Sequence, residues 1–350
     1  MTTDLQPSTL EQAARTFRAS LLRRDEASLR RVMAAYRPVL AGIQAEIADL
    51  TAQIAEARAA GTVIRPAWFR QQGRLQALEQ QVYAQWRTFA AAAFQEITAT
   101  QREAVEAGLR DGAALLRAAD DTGRAALLVG GDVARLNTEA LTELVGTLSD
   151  GSPLRALLTE LGTEAAEAVE AALLRGVAIG YSPRRTAKAI RDALGGSLHR
   201  ALTIARTEHL RAYRTATLER FRLAGDTILR GWQWRASPSS RTCPLCLAMD
   251  GREFGLDEPF ASHANCRCSP IPLVRGRAAP ERQFGSAWFA QQPADVQRGI
   301  LGPGALKLYQ EGRITLDDLV VIRRDPRWGP TLARRSLPDA LAAAAQRAAA

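Results

Sequence analysis

The chain has 350 residues, of which 47% are hydrophobic and 24% charged. This is a globular composition, too long for one ordinary domain, and two to three units are expected. The first residues, Met1-Thr-Thr-Asp-Leu-Gln-Pro, lack the basic-then-apolar pattern of a secretory signal. No run approaches the ~18 uninterrupted apolar residues of a membrane span. A spanning protein is thereby disfavoured, and the cysteines are expected in a reducing compartment.

The basic residues are 44 arginines and two lysines, Lys188 and Lys307. Their ratio reads as coding bias, but their placement is uneven. Residues 1–183 carry net −3, 184–241 net +9, 242–266 net −3 and 267–350 net +6. A basic field confined to one part of a chain suits a polyanion such as nucleic acid, and equally an acidic protein partner.

In chain order, residues 10 to about 60 predict a helix, with Leu40, Ile43, Ile47, Leu50 and Ile54 recurring every three or four positions. Pro38 should kink or split it near Arg37, and the stretch from Gly61 to Pro66 should end it. A second helix is expected from about Ala67 to Ala119, with Leu75, Leu78, Val82, Trp86 and Phe89 on one stripe. Two helices this long with a short join predict an antiparallel hairpin or coiled coil. Residues 120–135 read as a joint, followed by helices at about 135–149 and 154–178.

Gly180-Tyr181-Ser182-Pro183 is a helix start, with Ser182 as N-cap and Pro183 at the first helical position. This helix is expected to end at Gly195-Gly196, and Ser197 to open another that runs to about Ala224. On it, Leu210, Tyr213, Thr217 and Phe221 form a buried stripe. Arg211, Arg214 and Arg222 form a second stripe, a solvated face or a contact surface. Between Gly231 and Ala236 the period changes to two: Trp232 and Trp234 alternate with Gln233 and Arg235, as in a half-buried strand. Beyond Glu281 short helices are expected, packing Trp288, Phe289, Ile300 and Leu301 inward. The alanine-rich end reads as a frayed helix or a disordered tail.

All four cysteines fall in one window of 26 residues: Cys243-Pro-Leu-Cys246, then His263-Ala-Asn-Cys266-Arg-Cys268. The C-x2-C pair can place two thiolates on one tetrahedral ion, and H-x2-C can supply the rest. Five candidate ligands compete for four places. Cys266 and Cys268, spaced by two, would face opposite ways in a strand, so one of them is expected to be no ligand. Zinc is set against two bland readings, buried reduced thiols and disulfides. The expected set is Cys243, Cys246, His263 and Cys266 around one structural Zn²⁺, with Cys268 the substitute for Cys266.

Several chemistries are excluded by pattern. The chain has no Gly-rich phosphate loop, H-E-x-x-H, G-x-S-x-G or dinucleotide fingerprint. Cys246 or Cys266 with His263 as base has the elements of a nucleophile pair, but three further thiols at ligand spacing favour a structural site. An HNH-type nuclease needs a second histidine downstream, and none follows His263; His199 and His209 both precede it.

Read in order, Ala205-Arg206-Thr207-Glu208, Gly231-Trp232-Gln-Trp234, Thr242-Cys243-Pro-Leu-Cys246, Asp250-Gly251 and His263-Ala-Asn-Cys266-Arg-Cys268 resemble the Mu F-like family of tailed-phage minor head proteins. The resemblance is good from just before Gly180 to just past Pro272. It continues more loosely through Trp288, Ile300-Leu-Gly302 and Leu316-Asp-Asp-Leu319, and the first 150 residues carry no matching motif. It implies a non-enzymatic part in head morphogenesis, with portal and capsid proteins as partners. It also implies contact with double-stranded DNA during packaging or ejection, and a location in host cytoplasm during assembly and then in the virion head. Arg184, Arg185, Lys188, Arg206, Arg211, Arg214 and Arg222 are the candidate DNA or portal surface. The rival reading is a zinc-containing nucleic-acid-binding protein, or a nuclease-like or toxin-like enzyme of a mobile element.

The fold expected is mainly α. A long N-terminal helical hairpin (1–125) precedes a head-morphogenesis region (126–280) that contains helices at 135–225 and a small α+β cysteine/histidine unit at 231–272. A short helical segment (281–337) and an Ala-rich tail (338–350) follow. Self-association is expected through the N-terminal helices.

Overall fold

The computed structural model describes residues 9–62, 74–120, 144–148, 151–179, 181–279, 283–326 and 328–349. Four long helices come first: α1 (Thr9–Ala59), α2 (Arg74–Ala119), α3 (Leu154–Ile179) and α4 (Pro183–Ala224). Next come β1 (Leu229–Arg235), α5 (Pro244–Met249), β2 (Glu253–Phe254) and β3 (Ser269–Val274). The chain continues through α6 (Gly285–Ala290), α7 (Ala294–Leu301), α8 (Pro303–Gln310) and a 3-10 turn at Asp317–Leu319. It closes with β4 (Val320–Asp325), β5 (Gly329–Arg334) and α9 (Leu337–Ala349). The fold is mainly α, as expected.

Two compact units are built from interleaved segments. One comprises Met1–Arg24, Gln101–Val145 and His209–Ala350; the other comprises Asp25–Thr100 and Gly146–Glu208. Among its described residues the second unit is helical apart from the bridge of Thr147 to Pro153. Ser28 meets Thr100, Arg31 meets Glu96, Gly42 lies on Gln85 and Glu46 meets Gln81, so α1 and α2 run antiparallel. The expected stripes are the buried ones, Ile43, Ile47, Leu50 and Ile54 on α1 against Leu78, Val82, Trp86 and Phe89 on α2. Tyr36, Trp86 and Phe89 pack edge to face, 5.0–6.0 Å between centroids. The Trp86 Nε1–H donates to Leu158 O at 2.9 Å.

Two expected helix breaks do not occur. α1 runs unbroken through Pro38, which sits on its exposed side while Tyr36 and Val39 are buried. Proline removes one intrahelical bond there, and the flanking apolar burial outweighs that loss. α4 likewise passes through Gly195-Gly196. Each glycine costs ~1 kcal/mol in a helix, but Ile190, Leu194 and Ala201 around the pair are fully buried, and Tyr36 Oη donates to Leu194 O. The Ser182 cap stands as expected, its Oγ accepting from Arg185 N at 3.4 Å. Of the helix expected near 135–149, residues 135–143 lie outside the described residues, as do 121–134 of the joint and 63–66 of the first break. Leu144–Leu148 form a turn and a bridge from Thr147 to Pro153.

The first unit contains both sheets. β1 is the centre of the order β2-β1-β3, both neighbours antiparallel. Gln233 and Arg235 are buried along with Trp232 and Trp234, so both faces of β1 are covered and the half-exposed strand of the sequence pattern is corrected. Trp232 and Trp234 stack on Phe254 and Phe260, with ring centroids 4.4 Å and 3.9 Å apart for Trp232–Phe254 and Trp234–Phe260. Trp234 turns its N and O toward Arg252 and Gly251, so Gln233 faces Ile271 on the other side. Pro270 and Pro272, alternate residues of β3, therefore aim their nitrogens at the outer edge, where no ladder hydrogen bond is lost. β4 and β5 form a separate antiparallel ribbon that the sequence reading missed. The Ala-rich end is the capped helix α9, with Ser336 Oγ accepting from Asp339 N and Arg347 paired with Asp318 at 3.0 Å.

Candidate metal centre

Cys243 caps α5, its Sγ accepting from Cys246 N at 3.4 Å, and Pro244 opens the helix. One helical turn thus presents both thiols of the C-x2-C pair to the same side. His263 arrives on the loop after β2, with Nε2 3.2 Å from Cys243 Sγ and 3.1 Å from Cys246 Sγ. Its Nδ1–H donates to Ala264 O at 2.7 Å, which leaves Nε2 to face the sulfurs. Cys266 Sγ lies 3.7 Å from Cys246 Sγ.

Cys266 and Cys268 do not face opposite ways. They precede β3 in irregular backbone entered through Asn265 at φ +61°, and both thiols reach Cys246. Two ligand triads result, Cys243–Cys246–His263 and Cys246–Cys266–Cys268, each with its donor atoms within 4.8 Å of one another. Cys246 belongs to both.

The loop carrying the last two cysteines is gripped by buried arginines. Arg214 of α4, only 3% exposed, donates Nε–H to Cys268 O at 2.8 Å and Nη2–H to Cys266 O. Arg18 of α1 donates to Arg267 O, the carbonyl between them, at 2.9 Å. Guanidinium forks suit such fixed, dehydrated contacts. Both cations lie near the sulfurs and favour thiolates there.

Protonation follows from these contacts. The Cys243 thiol is held down at about 5 by the hydrogen bond from Cys246, with His263 adding to it against burial. Burial pushes Cys266 up, but bonds from Cys246 and Cys268, the Arg214 charge and His263 bring it well below the usual thiol range. Cys246 and Cys268 are pushed up, Cys246 foremost by its bond to Cys243 and Cys268 foremost by burial. Burial opposes the charge on His263, yet the neighbouring sulfurs push it up to about 10. The cluster therefore favours positive charge among ionised thiols.

The donor atoms of each triad lie close enough together to hold a metal ion. Zinc bonds of about 2.3 Å to sulfur and 2.0–2.1 Å to nitrogen place ligand atoms roughly 3.5–3.8 Å apart. The Cys246–Cys266 separation of 3.7 Å meets that spacing, and the histidine contacts are a few tenths shorter.

Asp250 is a supporting residue whose role the sequence reading did not assign. Its Oδ1 accepts from Ala236 N at 2.8 Å, and its Oδ2 from Gly285 N at 2.9 Å, tying the end of β1 to the start of α6. Gly251 beside it has φ +92°, and a Cβ there would lie 2.4 Å from the Phe284 ring. Gly231 is equally constrained, since a Cβ would lie 2.0 Å from Phe254 O. The family-like dipeptides Asp250-Gly251 and Gly231-Trp232 thus have geometric reasons.

The expected basic surface is dispersed. Arg206 pairs with Asp25 at 2.7 Å, Arg211 donates to Leu144 O at 3.5 Å, and Arg222 donates to Leu256 O at 3.1 Å. Arg214 is buried, so it belongs to no surface stripe. Arg185 is exposed and stacks on Tyr181, and exposed Lys188 pairs with Asp192 at 2.7 Å. The Arg184 side chain lies outside the described residues. Three cations of 184–241, Arg235, Arg206 and Arg200, pair with Glu11, Asp25 and Glu164 of the acidic first half.

No described helix is long and apolar enough to cross a membrane. No curated protein and no solved structure matches the chain. Residues 167–271 match the family model described as Phage Mu protein F like protein, a span that holds all five candidate ligands and Arg214. Over that segment the chain is similar to the Mu F-like family of phage head proteins.

Proposed function

We propose that the chain is a minor head protein of a phage or prophage, acting at the portal vertex in capsid assembly and in DNA packaging or ejection. The family match at residues 167–271 carries this reading, because it takes in the cysteine cluster and the polar framework around it. Its partners are portal and capsid proteins and, without sequence preference, double-stranded DNA. It works in the host cytoplasm during assembly and then in the virion head.

In this reading the cluster is structural. One Zn²⁺ is held by Cys243, Cys246, His263 and Cys266, with Cys268 the alternate to Cys266. The ion joins α5 to the loop before β3, so its binding free energy becomes folding free energy for a sheet whose β2 has only two residues. Enzymatic use of the Cys243–His263 pair is disfavoured, because His263 Nε2 is shared with Cys246 and both thiols lie at ligand spacing. Self-association through the N-terminal helices is part of the proposal, and Met33 and Tyr83 are large apolar side chains exposed on them.

Co-expression with the neighbouring portal gene, followed by affinity capture at low salt, tests the assembly reading. Full-length protein should co-purify with portal and be found in particles. Failure on both counts would overturn the reading.

A further inference from the structure

Several α4 cations are held by carboxylates or carbonyls, and a second concentration of positive charge lies elsewhere. Residues 320–336 hold five arginines and one aspartate, the β4–β5 ribbon and its flank. Arg323 and Arg324 are exposed, and neither side chain makes an ion pair or hydrogen bond among the described residues. Arg334 and Arg335 donate to the Leu301 and Asp318 carbonyls, which leaves their charges unneutralised. The family match stops at residue 271, so the ribbon lies outside it.

Register sets where these charges point. Cross-strand partners share a face, and successive residues alternate. Ile322 pairs with Leu332, Arg324 with Pro330 and Val320 with Arg334, so Arg324, Ile322 and Arg334 lie on one face. Arg323 pairs with Thr331 and lies on the other. On the first face Val320 and Leu332 are buried, and beyond them Ile322, 53% exposed, and Arg324 are uncovered. A flat acidic protein surface would meet one face of such a ribbon and leave the other charge unused. A groove with anionic walls meets both. The DNA major groove, about 12 Å wide, admits a two-stranded ribbon between rows of phosphates, and an exposed aliphatic side chain there can touch a thymine methyl.

We propose that the β4–β5 ribbon is the duplex-DNA contact of this protein, entering the major groove with Arg323 and Arg324 on opposite phosphate walls. This deepens the head-protein reading, on which its biological setting rests, and moves the DNA surface from α4 to the ribbon. The contact carries little sequence preference, since phosphates are its main targets.

The test is fluorescence anisotropy of the full-length protein on a labelled 30-base-pair duplex across a salt series. Arg323→Ala/Arg324→Ala should weaken binding roughly tenfold and reduce the slope of log K against log salt by about two. Arg185→Ala/Lys188→Ala, which alters the exposed cations of α4, should leave both unchanged. Circular dichroism of each variant checks folding; both substituted pairs are exposed, and wild-type spectra are expected. Wild-type binding by the ribbon variant, or loss in the α4 variant alone, would overturn the assignment. So would absence of duplex binding by the wild-type chain, an outcome that leaves portal capture, and hence the head-protein reading, unaffected.

Discussion

The hairpin of α1 and α2 and the cysteine unit around β1 are both well buried, but they are held in different ways. In the hairpin, side chains pack on side chains: Ile43, Ile47, Val82, Trp86 and Phe89 interdigitate along two stripes. Around β1, side chains bind backbone: Arg214 and Arg18 hold three successive carbonyls, Asp250 holds two amides, and Cys243 caps a helix. Dispersion and apolar burial are graded in shape and tolerate volume-conserving changes. Bonds to a buried backbone group tolerate little, since removing the partner strands an unsatisfied polar atom. The difference teaches that the helical hairpin is specified by pattern and the cysteine unit by individual residues.

The largest effect from a single side chain should fall in the hairpin. Trp86→Ala removes a fully buried indole and its bond to Leu158 O, and should cost about 3–5 kcal/mol. Trp86→Phe should cost far less, because most of the volume remains. Urea unfolding followed by circular dichroism measures both, and equal losses would break the packing side of the comparison.

Arg214→Met tests the other side, keeping length and apolar stem while removing the fork. It should cost about 2–3 kcal/mol, because the Cys266 and Cys268 carbonyls lose charged donors. Arg214→Lys should rescue little, as one ammonium cannot reproduce the two-pronged grip. Near-complete rescue by lysine would mean that charge alone matters there.

Asp250→Asn is the smaller and more diagnostic change, about 1–2 kcal/mol at neutral pH, since one amide NH₂ then opposes a backbone N–H. Burial pushes the Asp250 carboxyl up to about 6, above an unfolded value of about 4. The sign follows: for a raised carboxyl the stabilising contribution is fully present below the unfolded pKa and is lost as pH rises through about 6. Asparagine does not titrate, so the stability gap between wild type and variant should be larger at pH 5 than at pH 7, by about 1 kcal/mol. Paired thermal melts at the two pH values read it, and a gap independent of pH would show a carboxyl near its ordinary range.

The same contrast explains what the sequence disclosed. The α1 and α2 stripes, the Ser182 cap and the Leu210–Phe221 stripe were legible because each is a local repeat or cap. The cysteine cluster was legible because its ligands are rare residue types at ligand spacing. Arg214 was read as surface because its partners are carbonyls more than fifty residues away, which composition cannot reveal. Gln233 and Arg235 were read as outward because period two says nothing about what covers the second face of a strand. The β4–β5 ribbon was hidden by its arginines, which break the apolar alternation beyond Val320-Val321-Ile322. The continuity of α4 through Gly195-Gly196 was decided by packing that overrode propensity.

The central proposal, that a metal closes the cysteine unit, is tested most directly by elemental analysis of the full-length protein purified without chelator, with thiol titration alongside. The account predicts one zinc per chain and thiols that react with a thiol reagent only after a strong chelator is added. Trace metal, with all four cysteines titrating freely in the folded protein, would contradict it.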